Sequence, residues 1–185
     1  MIKVTLKDGS VREFKKGTPV ISIAKNISEG LARNVISAKF NHEIVETKLA
    51  LDKDGKLEFY TWDNDEGKKA FWHSSSHVMA QALQEIYPGI KLTIGPAIKN
   101  GFYYDVDLGE NKISESDFGK IENKMLEICR GKFDFNMRLV SKNEALNFYE
   151  NKKNNYKVEL IQELKDGEIS FCDHDTFTDL CKGGH

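Results

Sequence analysis

Ile2, Val4 and Leu6 alternate with polar residues, Lys7-Asp8-Gly9-Ser10 turns the chain, and Val11 and Phe14 follow. An Asp-Gly step between two alternating runs predicts a hairpin. Thr18 then reads as a helix N-cap and Pro19 as the first helical position. Val20, Ile21, Ile23, Ala24 and Ile27 recur at helical spacing. Residues 35–40 predict a strand, Asn41-His42 a turn, and residues 56–61 a last strand after Asp54-Gly55. Hairpin, helix and further strands over residues 1–62 predict a small α+β domain of the β-grasp, ubiquitin-like kind.

Asp63-Asn64-Asp65-Glu66-Gly67 is an acidic, turn-prone joint and the expected boundary. Residues 66–87 have helical periodicity, with Phe71, Val78, Ala82 and Ile86 as the apolar stripe and Pro88-Gly89 as the stop. Strands are expected at 92–98 and 102–106. Ser114 caps a helix over 117–130, with Glu115 and Asp117 favouring its first turn. A strand follows at 135–140, and Ser141-Lys142-Asn143-Glu144 is a capping box opening another helix. Residues 156–161, 169–173 and 177–180 read as closing strands. Residues 63–185 thus predict a second α+β domain, a long helix packed on a mostly antiparallel sheet.

Composition narrows the function classes. No run of 18 apolar residues exists, so no membrane span and no membrane partner are expected. The N-terminus turns polar at once and lacks the apolar core of a signal peptide. Three cysteines, Cys129, Cys172 and Cys181, are too few and too far apart for a disulfide framework, which points to the cytoplasm. Net charge is −2. Residues 1–62 carry 11 Lys/Arg against 8 Asp/Glu, and residues 63–185 carry 16 against 21. An acidic second domain is not a phosphate-tracking surface. If it meets RNA, it meets one end of it.

The chemistry sits in two pairs. His73-Ser74-Ser75-Ser76-His77 puts two imidazoles on one helix face. Such a pair can ligate a metal or share a proton transfer, although two unrelated histidines would look the same. Cys181-Lys182-Gly183-Gly184-His185 supplies a second pair four apart, and HxxxH with CxxxH could fill a tetrahedral zinc shell. Between them, Gly95-Pro96 and Asn100-Gly101-Phe102-Tyr103-Tyr104-Asp105 allow close backbone approach beside a row of aromatics. His42 and His174 read as surface residues, Cys129 and Cys172 as small buried ones, and Lys152-Lys153 as a solvated helix end.

Taken in order, His73–His77, Gly95-Pro96, the Asn-Gly-Phe-Tyr-Tyr-Asp run, Asn155-Tyr156-Lys157-Val158 and Asp179-Leu180-Cys181-Lys182-Gly183-Gly184-His185 resemble the threonyl-tRNA synthetase family. The leading unit resembles the TGS domain that precedes that family's editing domain. The two Cys/His motifs are shared with alanyl-type editing domains; the leading unit and the aromatic run favour the threonyl branch. Lys182 and Gly184 stand where the family often has Arg and Pro.

The resemblance implies an N-terminal fragment of a threonine-tRNA ligase. The parent would attach threonine to tRNA(Thr) with ATP and a zinc ion in a catalytic domain absent here, and would dimerise through absent domains. This region would hydrolyse mischarged Ser-tRNA(Thr), whose acceptor end is the expected partner. Its site would use His73, His77, Lys157, Asp179, Cys181 and His185, with Tyr104, Gly95 and Pro96 against the substrate. His73 would orient water or the terminal ribose, Lys157 would face the ester, and Asp179 would hold an ammonium or set a histidine tautomer. No metal is expected to be required, although zinc at His73, His77, Cys181 and His185 remains open. The isolated region is expected to deacylate weakly, with His185 loosely held. The alternatives are a structural zinc or RNA-interaction module and an alanyl-type trans-editing deacylase.

Overall fold

The computed structural model describes all residues, Met1–His185. The chain divides into two compact units, Met1–Trp72 with Gly184–His185, and His73–Gly183. Six helices occur: α1 (Val20–Ile27), α2 (Glu29–Asn34), α3 (Asp65–Ile86), α4 (Phe118–Gly131), α5 (Lys142–Asn151) and α6 (Asn155–Glu163). None is long and apolar enough to cross a membrane.

The first unit is built on a five-stranded mixed sheet. Its order is Val11–Phe14, Ile2–Leu6, Gly55–Tyr60, Ser37–Phe40 and Glu43–Val45. Ile2–Leu6 and Gly55–Tyr60 run parallel, and the other neighbours are antiparallel. Alternation puts Ile2, Val4 and Leu6 on the face that receives Val20 and Ile23 of α1. Gly9 closes the first hairpin at φ +84°, and Asp8 Oδ1 accepts from Ser10 N at 2.9 Å.

Helix α1 starts one residue later than the sequence predicts, with Pro19 in the cap position. Thr18 Oγ1 donates to the carbonyl of Lys15 instead, and Thr18–Pro19 forms a short antiparallel bridge with Ala50–Leu51. The first helical N–H groups, of Val20 and Ile21, reach the carbonyls of Leu49 and Thr47. Backbone from a distant loop therefore replaces a side-chain cap. Helix α2 was not expected; Ser28 Oγ caps it by accepting from Leu31 N at 2.9 Å.

The second unit centres on a three-stranded antiparallel sheet, Asn136–Leu139, Ser170–His174 and Phe177–Leu180 in that order. The part of α3 in this unit packs Ala80 against Phe177 and Leu92, and Val78 and Ala82 against Ile128 of α4. Phe71 departs from the predicted stripe: it is exposed and makes edge-on contacts with Trp62 and Trp72. Ser141 caps α5 as expected, accepting from Glu144 N. The expected strands at 92–98 and 102–106 shrink to two-residue bridges, Ala97–Ile98 with Gly101–Phe102 and Lys91–Leu92 with Val106–Asp107.

Three expectations fail here. Residues 156–161 are not a strand but lie in α6. Asn154 Oδ1 accepts from Lys157 N while its amide donates to the carbonyl of Leu92 at 2.8 Å, so a buried cap starts the helix. The buried pair Lys157 and Ile161 then follows the i, i+4 period. Cys129 is exposed, because it falls a helical step beyond Ile128 on the buried stripe of α4. His174 is buried, not on the surface: Nδ1 lies 2.7 Å from Gln81 Oε1 and the ring stacks on Phe135 at 4.3 Å. Cys172 is buried as expected, and His42, Lys152 and Lys153 are exposed.

Burial lowers the pKa of His174 below its ordinary 6.5, with Asp175 and Asp134 opposing and His77 adding to the shift. The folded protein thus keeps His174 neutral where the unfolded chain binds a proton. Its contribution is full above the unfolded value and is lost as pH falls below it. His174→Gln is expected to flatten the acid-side loss of stability below about pH 6.5, measured by urea unfolding across pH.

Candidate active site

The second unit contains a cavity of about 470 Å³. His73 and His77 reach it from α3, Lys157 from α6, and Asp179 and Cys181 from the end of the last strand. Gly95, Pro96 and Tyr104 line it from the loop between α3 and α4. That loop is tied down in two ways. Ser76, buried on α3, places Oγ 2.8 Å from the carbonyl of Gly95 and 2.7 Å from that of His73. Thr93 N and Asp105 N bond back to the carbonyls of Asp105 and Ile94. Gly95 is required by proximity: a Cβ there would sit 2.1 Å from Cδ2 of Tyr104.

Asp179 is the hub. Oδ1 takes Lys157 Nζ at 2.6 Å, the N–H of Leu180 at 2.9 Å and the hydroxyl of Tyr149 at 3.2 Å. Oδ2 takes the hydroxyl of Tyr104 at 2.5 Å and lies 3.6 Å from His77 Nδ1. Lys157 is 2% exposed and Asp179 4%, so both charges are removed from water. Burial first, and Asp179 second, push the Tyr104 phenol well above its ordinary 10.0; it stays protonated and donates.

The histidines meet tip to tip, Nε2 to Nε2 at 3.2 Å. His73 Nε2 is also 3.5 Å from Cys181 Sγ, which receives the N–H of Gly183 at 3.3 Å. His185, expected to be loosely held, is buried. Two imidazole nitrogens and a thiol at these separations supply three of the four donors of a tetrahedral zinc site. The carboxylate of Asp179 behind His77 resembles the outer partner of a zinc-bound histidine.

Tyr149, Asn154 and Ser76 escaped the sequence reading. Each acts by holding a cavity residue or the loop beside it, through partners 19 to 62 positions away that no local motif marks. The Asn154 cap, three residues before Lys157, is the one signal that could have been found.

Residues 2–61 match the TGS domain family, and the His/Cys/Lys/Asp cavity lies in the α+β unit that begins at His73. Over its whole length the chain is 67% identical to threonine–tRNA ligase of Flavobacterium johnsoniae and 48% identical to that of Cytophaga hutchinsonii. It is 47% identical, over 98% of its length, to the enzyme of Caldanaerobacter subterraneus. It spans 28%, 29% and 28% of those relatives. The chain matches the N-terminal region of bacterial threonine–tRNA ligases, TGS domain included.

Removing one partner of a buried ion pair leaves an uncompensated charge. Asp179→Ala is therefore expected to cost about 3–5 kcal/mol in chemical denaturation. The double change Lys157→Met with Asp179→Leu is expected to cost less than Asp179→Ala alone.

Proposed function

We propose that residues 1–62 form a β-grasp TGS domain and residues 63–185 an editing domain that hydrolyses the ester of Ser-tRNA(Thr). The whole protein would be an ATP-dependent ligase joining threonine to tRNA(Thr). The reading rests on one observation above all: a buried Lys157–Asp179 pair and a His73–His77–Cys181 cluster share one cavity.

Ester hydrolysis needs a water deprotonated, an oxyanion stabilised and a ribose hydroxyl reprotonated. Asp179 beside His77 Nδ1 favours the tautomer with hydrogen on that nitrogen. His77 Nε2 then accepts from His73 Nε2–H across the 3.2 Å gap. Nδ1 of His73 is left as the basic nitrogen that orients and deprotonates water. The hydroxide adds to the ester carbonyl, and the ammonium of Lys157 stabilises the resulting oxyanion. The ester C–O bond breaks, and the proton held on the histidine passes to the departing ribose oxygen. Serine is released with a restored histidine.

A pocket that must hold threonine cannot exclude serine, since one missing methyl is worth only ~1–3 kcal/mol. A second site that admits serine and crowds the extra methyl resolves this. Here Ile94, Leu160 and Leu180 supply apolar walls beside the polar groups.

The Cys/His cluster favours a second reading, a zinc site on His73, His77 and Cys181. When bound, the metal would supply Lewis-acid activation of water or purely structural cross-linking. The hydrolytic scheme above requires no metal.

The test is single-turnover deacylation. Ser-tRNA(Thr) is expected to be hydrolysed and Thr-tRNA(Thr) spared, and His73→Ala should slow the reaction by about 10²–10⁴-fold. Equal rates on the two substrates would sink the proposal. Zinc analysis of the same samples separates the metal reading.

A further inference from the structure

Tyr149 lies outside the cavity wall, yet it touches both halves of the ion pair that faces the cavity. It sits on α5, is 3% exposed, and packs edge-on against Phe148 and Phe171, with ring centroids 5.0 and 5.7 Å away. Its hydroxyl donates to Asp179 Oδ1 at 3.2 Å and accepts from Leu180 N at 2.8 Å. The same Leu180 N–H lies 2.9 Å from Asp179 Oδ1, so hydroxyl, amide and carboxylate close a small ring. The ammonium of Lys157 lies 5.9 Å from the centre of the tyrosine ring. A cation within about 6 Å of an aromatic face is attracted by the ring quadrupole.

We infer that Tyr149 is a positioning residue: it fixes the Asp179 carboxylate by its hydroxyl and the Lys157 ammonium by its ring, so that Lys157 presents its charge to the cavity. It does not touch the substrate. The inference deepens the hydrolytic reading and rests on it for the reaction, but not for the geometry.

Two features make the hydroxyl suited to this. Burial first, and Asp179 second, push its pKa well above the ordinary 10.0, so it holds its proton at neutral pH. A single proton and a single donor from Leu180 fix the direction of both bonds. Lysine is otherwise a flexible stem with three rotatable donors, and a nearby carboxylate alone does not define where its charge points. The groups facing Asp179 are Lys157 from α6, Tyr149 from α5, His77 from α3 and Tyr104 from the loop. Among these, Tyr149 is the one that also contacts Lys157 through its ring.

Tyr149→Phe keeps the ring and removes the hydroxyl, and Tyr149→Leu removes both. Two measurements are made on the same chain. In the unliganded protein, the ¹H–¹⁵N signal of the Lys157 ammonium reports proton exchange with water. Exchange is expected to accelerate roughly tenfold in Tyr149→Phe and further in Tyr149→Leu, while urea unfolding shows both variants folded. In single-turnover deacylation of Ser-tRNA(Thr), Tyr149→Phe is expected to slow the maximal rate roughly 10–100-fold, the range for losing an outer-shell partner. Half-saturation should change little. Wild-type exchange at Lys157 in folded Tyr149→Phe and Tyr149→Leu would overturn the inference. Faster exchange with no hydrolysis by the wild type would uphold the positioning role and overturn the hydrolytic reading alone.

Discussion

The second unit depends on one constraint: Lys157 and Asp179 are both charged and both out of water. Desolvation costs several kcal/mol per ion, and mutual attraction offsets it only when the remaining lone pairs and protons are also satisfied. Asp179 meets that condition with donors from Lys157, Tyr104, Tyr149 and its own neighbour Leu180. Those donors come from α6, the loop after α3, α5 and the last strand. The elements around the cavity are thus held to a common point by a carboxylate that none can abandon cheaply.

The same constraint reads as chemistry. A hydrophobic pair would close this interior at least as well, so a buried ion pair on a cavity wall is poorly explained by stability. The hydrolysis proposed above would use it as a fixed positive charge where an oxyanion forms. The carboxylate serves both ends, holding Lys157 on Oδ1 and facing the imidazole of His77 near Oδ2. Both oxygens of Asp179 are engaged, Oδ1 by Lys157, Leu180 and Tyr149 and Oδ2 by Tyr104.

The two-unit organisation fits a division of labour. The TGS-matching unit has its own core of Ile2, Val4, Val20, Ile23 and Leu57, with no share in the cavity. The second unit keeps a separate core around Tyr149, Ile161, Ile169 and Phe171, directly behind the ion pair. Packing and site are therefore coupled in the second unit and independent in the first.

The sequence by itself determined what short-range physics dictates. Alternation at Ile2, Val4 and Leu6 made the first strand, Asp8-Gly9 its turn, and Ser141 with Glu144 the start of α5. It also placed His73 and His77 on one helical face, since that follows from a period of 3.6 residues. The tertiary structure decided the rest. Tyr156, Val158 and Leu160 alternate like a strand, yet a buried Asn154 bonded to Leu92 starts a helix there. His174 between two aspartates reads as solvated, yet Gln81, 93 positions away, and the face of Phe135 bury it. Pro19 shifted from first helical residue to cap because carbonyls of Leu49 and Thr47 took the helix's first N–H groups. In each case the deciding partner is distant in the chain, and a local pattern carries no information about a partner that only folding brings near.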